Sequence, residues 1–144
     1  MLLTLQGKCS WFGGPNDEGV QPDEGLAFIQ SIEDAPYLFL PEQPEGTTGL
    51  ARRLNPSMHY IACRWDYEVT PSEMLLERTA IIRAVKTGII ARAFPADWGP
   101  HVNTERVADI SPGLMEALHI ETDDVITVLF PYTPAGLELP YSVA

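Results

Sequence analysis

Glycine and proline divide this chain into short apolar runs that suit β-strands better than long helices. The 144 residues include 11 Gly and 13 Pro. Between these breakers, several runs favour strands through alternation or through β-branched and aromatic content. The runs are residues 2–12, 59–67, 79–85, 89–94, 106–110 and 125–130. Short strands joined by turns are typical of a small mainly-β domain, and the length predicts one such domain over residues 1–144.

Residues 15–58 interrupt this series of strand candidates. They are rich in Pro, Gly and acidic residues, and only 26–29 and 37–40 are apolar enough for short strands or turns. The expected fold class is therefore mainly β, with a long loop-rich insertion at about residues 15–58.

Two short helices are predicted between the strands. Residues 70–73 (TPSE) match a capping box with Pro at the first helical position, which predicts one or two helical turns ending near Glu77. Ser111 and Pro112 give a second start signal. The apolar face of this second helix consists of Leu114, Met115 and Leu118.

Acidic residues outnumber basic residues by 20 to 9, so the net charge is −11. Binding a polyanion depends on clustered Lys and Arg, so this balance argues against a nucleic-acid partner and favours a neutral or cationic one. The acids also suit an ordinary solvated surface. No apolar run reaches the roughly 18 residues of a membrane span, and residues 1–8 lack the pattern of a signal peptide.

Cys9 and Cys63 lie in two of the strand candidates. Two cysteines are too few for a disulfide framework, and no Cys-x-x-Cys spacing indicates a metal site. Two buried thiols are the expected state in a reducing compartment, and a bridge stays open as an alternative if the two strands are neighbours. Neither a metal nor a cofactor is expected.

Two aspartates near turns are the strongest candidates for chemistry. Asp97 precedes a Trp-Gly-Pro turn signal, and Asp109 ends the next apolar run. Two carboxyls that titrate at different pH values suit acid/base chemistry on a glycosidic bond. In the structural alternative, Asp97 accepts backbone N–H bonds in its turn, and Asp109 lies at a helix N-terminus, where negative charge is favoured.

The order of these features resembles the C-terminal half of the double-psi β-barrel in rare lipoprotein A and its expansin and barwin relatives. The matching features are the hairpin at 79–94, Asp-x-Gly-Pro at 97–100, Arg-Val-x-Asp-Ile-Ser-Pro at 106–112, the helix that follows and the strand at 125–130. Residues 7–13 (GKCSWFG) are similar to the Gly-x-Ala-Ser-Trp-Tyr-Gly opening of rare lipoprotein A. The resemblance covers about residues 7–14 and 79–130.

This resemblance implies a six-stranded double-psi barrel with a groove that holds a glycan. By position, Asp97 matches the Asp of the family's Asp-x-Gly-Pro motif. Asp109 matches the Asp of its Leu-Asp-Leu-Ser motif, which corresponds to the catalytic acid of the related membrane-bound lytic transglycosylase A. Ser10 and Trp11 match positions that line the groove. The family's His is absent from residues 51–56, and His101 is its candidate replacement.

Trp11 and Trp98 are candidates for stacking on sugar rings, because an indole face covers the apolar C–H face of a pyranose. Trp65 is interpreted as a core residue instead, since it lies within a strand candidate. With Ser10 and His101, the two stacking candidates complete the predicted substrate-binding set.

The predicted activity is lytic cleavage of peptidoglycan strands, in which one Asp protonates the glycosidic oxygen and the sugar's own C6 hydroxyl attacks. Inverting hydrolysis instead needs a second carboxylate about 6.5–9.5 Å away, for which Asp17, Glu18 and Asp66 are candidates. The alternatives are a non-catalytic glycan-binding module, as in expansins, and a structural module of a phage or secretion device. The expected partner is a polysaccharide and the expected state a monomer, delivered to the cell wall by such a device.

Overall fold

The computed structural model describes residues 2–17, 26–29, 33, 35–43, 45, 53–75 and 78–131. Most of this part of the chain belongs to six strands: β1 (Leu3–Trp11), β2 (Tyr60–Cys63), β3 (Ala80–Ala84), β4 (Ile90–Trp98), β5 (Arg106–Ile110) and β6 (Val125–Phe130). The helix α1 (Pro112–Ala117) and 3-10 turns at Pro36–Leu38, Ser72–Met74 and Val102–Thr104 connect them. The predicted mainly-β class with short helices is confirmed.

The strands close into a barrel in the order β1-β5-β2-β4-β3-β6. β1 is parallel to β5 and β2 to β4, while the other neighbouring pairs are antiparallel. If β1, β2 and β3 exchange places with β4, β5 and β6, every strand keeps the same kind of neighbours, and the two parallel pairs are exchanged with each other. The topology therefore has an internal two-fold symmetry, although no internal repeat is visible in the sequence.

Local signals explain most of the element boundaries. Ser111 caps α1, because its side chain accepts a hydrogen bond from the backbone N–H of Leu114 at 3.1 Å. The capping box predicted at residues 70–73 does not form, since no side chain caps the 3-10 turn that begins at Ser72. Thr70 is buried there, and its carbonyl accepts the indole N–H of Trp65 at 2.7 Å. Glu77 lies outside the described residues.

The main core fills the barrel and is built from the inward residues of all six strands. Ile61, Ile82, Ile110, Val128 and Phe130 are fully buried in it. Each large apolar side chain removed from water contributes about 1.5–3 kcal/mol. Leu114 and Leu118 join this core, so the predicted apolar face of the second helix packs against the barrel.

A second apolar cluster lies against the outside of β2 and β4. It joins Tyr60 and Ala96 of the barrel to insertion residues that include Ile29, Leu38 and Leu54. A short bridge between Phe39 and Leu54 is the strand-like pairing described within the insertion. The described part of the insertion therefore packs against the barrel wall.

Cys9 and Cys63 are both free and buried, which confirms the expectation of two buried thiols. Both are aligned with Ala108, one from each side, so the whole of β5 separates them. Two strand spacings set their Cα atoms about 9–10 Å apart, beyond the roughly 7 Å that a disulfide spans. Burial raises the pKa of Cys9 to about 11 and that of Cys63 to about 12.

Candidate functional site

Four residues are aligned across neighbouring strands on the outer face of the barrel. Ser10 of β1 is aligned with Asp109 of β5, Asp109 with Ala62 of β2, and Ala62 with Asp97 of β4. Ser10, Asp109 and Ala62 are flanked by main-core residues, so the two-residue period of a strand directs these three outward. Asp97 lies where the β2–β4 pairing shifts register, and its bond to Ala27 of the insertion places it on the same outer side. We call this set the outer row. Two strand spacings separate the Cα atoms of its aspartates, about 10 Å.

The pKa of Asp109 in the outer row is raised. Burial raises its pKa from 3.8 to about 6; the positive charge of Arg106 opposes this shift, while the negative charges of Asp17 and Asp97 add to it. Its side chain is partly exposed. Among the described residues, the structure records no hydrogen bond to its carboxyl group. Asp109 is therefore an accessible acid that holds its proton into the mildly acidic range.

Asp97 has a different environment. Its Oδ1 accepts hydrogen bonds from the backbone N–H groups of Trp98 and Ala27, both at 2.9 Å. Ala27 belongs to the insertion, which also bonds to β4 where Phe28 N–H meets the carbonyl of Ala96 at 3.2 Å. These two bonds match the structural alternative for Asp97, in which its carboxylate accepts backbone N–H groups. The insertion therefore bonds to the Asp97 end of the outer row, and both aspartates are partly exposed.

Asp17, one of the predicted candidates for a second carboxylate in hydrolysis, is a third carboxylate near this row. Its Oδ2 accepts the backbone N–H of Gly13 at 2.8 Å. The preceding residue, Phe12, donates its backbone N–H to the carbonyl of Ile110 at 3.1 Å, immediately after Asp109. The signal that points to Asp17 is the Gly13-Gly14 pair, because positive φ values of 83° and 88° turn the chain back toward β5.

Trp11 lies at the end of β1 next to Ser10, and its side chain is 43% exposed. It lines a cavity of about 490 Å³ together with the glycine turn, α1 and three prolines. The prolines are Pro15, Pro56 and Pro112. Among the described residues, its indole N–H has no recorded acceptor. This exposed indole face is available for stacking, close to the strand end that carries Asp109.

Trp98 and His101 lie together in a second cavity of about 490 Å³, which they line with Leu5, Arg64 and Val107 among others. Trp98 is aligned with inward-facing Cys63 and packs against the core, so it points away from the outer row. Its Nε1 donates to the Trp65 carbonyl at 3.2 Å.

An aromatic cluster fixes Trp98 in this position. Tyr67 stacks on it with ring centroids 5.5 Å apart and 26° between the planes, and Trp65 packs edge-on at 6.5 Å. Trp65 is buried, as predicted for a core residue, although β2 ends two residues before it. His101 Nδ1 accepts the backbone N–H of Asn103 at 3.2 Å, so this nitrogen caps the Val102–Thr104 turn.

The predicted site residues thus lie in three places. Ser10, Asp97 and Asp109 share the outer row, and Trp11 lines the cavity beside α1. Trp98 and His101 line the second cavity, with Leu5, Arg64 and Val107. Within the described ranges, no group of three or more His, Cys, Asp or Glu side chains is arranged to hold a metal ion. No helix in the described part of the chain is long and apolar enough to cross a membrane.

No protein-family model matches this chain, and no curated protein matches it at the level of a recognisable relative.

Proposed function

We propose that this protein cleaves peptidoglycan glycan strands by a lytic mechanism, with Asp109 as the proton donor. The observation that carries the proposal is the partly exposed Asp109 carboxyl, whose pKa of about 6 keeps a useful fraction protonated under mildly acidic conditions. A general acid works best when its pKa lies near the working pH. Ser10, aligned beside it, offers a hydroxyl to a sugar on the same face.

The barrel topology supports the proposed relation to the rare lipoprotein A superfamily. A double-psi barrel is the fold implied by the resemblance to rare lipoprotein A, and the two-fold symmetric strand order with two parallel pairs is compatible with it. The proposal assigns the chain to that superfamily on the motifs at residues 7–13 and 97–112 together with this topology.

In the proposed reaction, Asp109 transfers its proton to the glycosidic oxygen as the bond from the anomeric carbon to that oxygen breaks. The C6 hydroxyl of the same sugar then bonds to the anomeric carbon, and its proton passes to the Asp109 carboxylate, which restores the acid. The products are one glycan with an anhydro end and one with a free hydroxyl. No water is consumed, so a single well-placed carboxyl suffices.

Asp97 contributes charge rather than proton transfer in this scheme. Its carboxylate is held by two backbone N–H groups about two strands from Asp109. A fixed negative charge at that distance favours the positive charge that develops on the sugar ring during bond breaking. Trp11, at the strand end next to the outer row, is the proposed stacking platform.

The non-catalytic alternative is a glycan-binding barrel that keeps the same outer row. The bond from Ala27 N–H to Asp97 favours this alternative, because it gives one of the two aspartates a structural partner in the insertion.

The direct test is the release of soluble glycan from purified peptidoglycan at about pH 5.5 by the wild-type protein and three variants. We expect Asp109→Asn to abolish release and Asp97→Asn to slow it. Asp66→Asn, which changes an exposed acid outside the outer row, is the matched control and should retain activity. Binding to peptidoglycan without release by the wild type would support the non-catalytic alternative and contradict the enzyme proposal.

A further inference from the structure

The turn after β1 holds a carboxylate beside the proposed acid. Gly13 and the hydroxyl of Tyr60 fit so closely that a Cβ at Gly13 would lie 2.1 Å from that oxygen. Tyr60 also donates its hydroxyl to the carbonyl of Phe12 at 2.7 Å. These contacts fix the backbone from which Gly13 N–H bonds Asp17. The position of the Asp17 carboxylate is therefore set by the barrel, although the residue belongs to a loop.

The same turn is joined to the strand of Asp109. Phe12 N–H bonds the Ile110 carbonyl at 3.1 Å, and Gly14 N–H bonds the Leu54 carbonyl at 3.0 Å. Asp17 is thereby attached on one side to β5 and on the other to the insertion. A charge held this way keeps its distance to Asp109 instead of moving freely in solvent.

We propose that Asp17 is a positioning residue for proton donation, and that its negative charge, held by the Gly13 turn, keeps the proton on Asp109 until the glycosidic oxygen takes it. This role rests on the proposed function of Asp109. Asp17 itself neither gives nor takes the proton, and no bond to it changes during the reaction.

The other charges that face Asp109 do not cancel the effect of Asp17. Arg106, on the same strand, favours the ionised form of Asp109, but its guanidinium is paired with Asp123 at 2.8 Å. Asp97 acts in the same direction as Asp17, from beyond Ala62. Asp17 differs from Asp97 in that the turn which holds it is bonded to Ile110, the residue after Asp109.

The test is an NMR titration of the Asp109 carboxyl carbon in the wild type and in Asp17→Asn, Asp17→Glu and Glu116→Gln. Asp17→Asn removes the charge but keeps an oxygen that accepts the Gly13 N–H. Asp17→Glu keeps the charge. Glu116→Gln removes one negative charge from an exposed site on α1 and is the control for net charge.

We expect Asp17→Asn to lower the titration midpoint of Asp109 by about half a pH unit, the order of effect of one charge that acts through a partly solvated path. The pH profile of glycan release should shift by the same amount. Asp17→Glu should restore much of the wild-type midpoint, and Glu116→Gln should leave it unchanged. These results together support the role.

An unchanged midpoint in a folded Asp17→Asn protein would overturn the inference, because burial alone would then hold the proton. A midpoint that shifts equally in Glu116→Gln would also overturn it, since the effect would be one of net charge. A wild-type protein that shows the expected titration but releases no glycan would contradict the proposed function, and with it any role of Asp17 in catalysis. The titration and the release assay thus separate the two failures.

Discussion

Replacing Asp109 by Asn should stabilise the folded protein at neutral pH and leave its stability in mild acid nearly unchanged. The pKa of Asp109 is raised from 3.8 to about 6 on folding, chiefly by burial. The folded state therefore binds the proton more tightly than the unfolded state. The stability that this shift contributes is fully present below the unfolded-state pKa of 3.8. It falls as the pH rises toward the folded-state pKa of about 6, and above that pKa it is lost.

The magnitude follows from the same two values. A difference of about two pKa units corresponds to about 3 kcal/mol at most, and the partial exposure of Asp109 reduces this to about 1–2 kcal/mol. Asn has nearly the same shape as Asp but carries no charge, so Asp109→Asn should gain this amount at about pH 7–8 and almost none at about pH 4. Under the proposed function, this cost would be stability traded for activity.

The assay is urea unfolding followed by tryptophan fluorescence at several pH values between about 4 and 8, with the variant compared to the wild type at each pH. Asp123→Asn is the control of opposite sign. The hydrogen bond from Arg106 lowers the pKa of Asp123 in the folded protein. The stability that Asp123 contributes is therefore present above its unfolded-state pKa and is lost as the pH falls through its folded-state pKa. An Asp109→Asn protein that is less stable than the wild type at about pH 7–8 would refute the reasoning.

Further measurements test the fold around the site. Ser111→Ala should lower the free energy of unfolding by about 1–2 kcal/mol, because it removes the α1 cap; an unchanged melting temperature would contradict this. Gly13→Ala should destabilise the protein more than Gly88→Ala does, since both glycines have positive φ but only Gly13 has a tyrosine hydroxyl where the new Cβ would lie. Equal melting temperatures would exclude that contact. Cys9 and Cys63 should react with a thiol reagent only after denaturation, giving two thiols per chain; fast labelling of the native protein would contradict their burial.

Local sequence signals were enough to predict most of the strands. The predicted strands at 106–110 and 125–130 coincide with β5 and β6, and the hairpin at 79–94 corresponds to β3 and β4. Glycine, proline and the Ser111 cap act over a few residues, so their effect is readable without the fold. The strand predicted at 59–67 was too long, because β2 ends at Cys63.

The composition of the outer row depends on contacts that no local pattern contains. Asp109 meets Ser10 through a parallel pairing between strands about a hundred residues apart, and meets Asp97 only because β2 lies between β5 and β4. The burial that raises the pKa of Asp109 likewise depends on closure of the barrel. These features became visible only with the full topology.

The separation of Trp98 from Asp97 was within reach of the sequence. Successive residues of a strand usually point to opposite faces, and Asp97 and Trp98 follow this rule, although the β2–β4 pairing shifts register just before them. The prediction that assigned both to one groove treated residues 97–100 as a turn, whereas β4 extends to Trp98. Asp17 shows the converse case, in which two glycines after β1 were recognised as a breaker but not as a turn that returns a carboxylate to β5.

The most direct test of the central claim is mass spectrometry of the fragment ends released from purified peptidoglycan. The account predicts anhydro ends, one water lighter than reducing ends, from the wild-type protein and none from Asp109→Asn. Reducing ends instead would contradict the lytic mechanism and indicate hydrolysis with a second carboxylate. No fragments from the wild type would contradict the proposal that Asp109 is a catalytic acid.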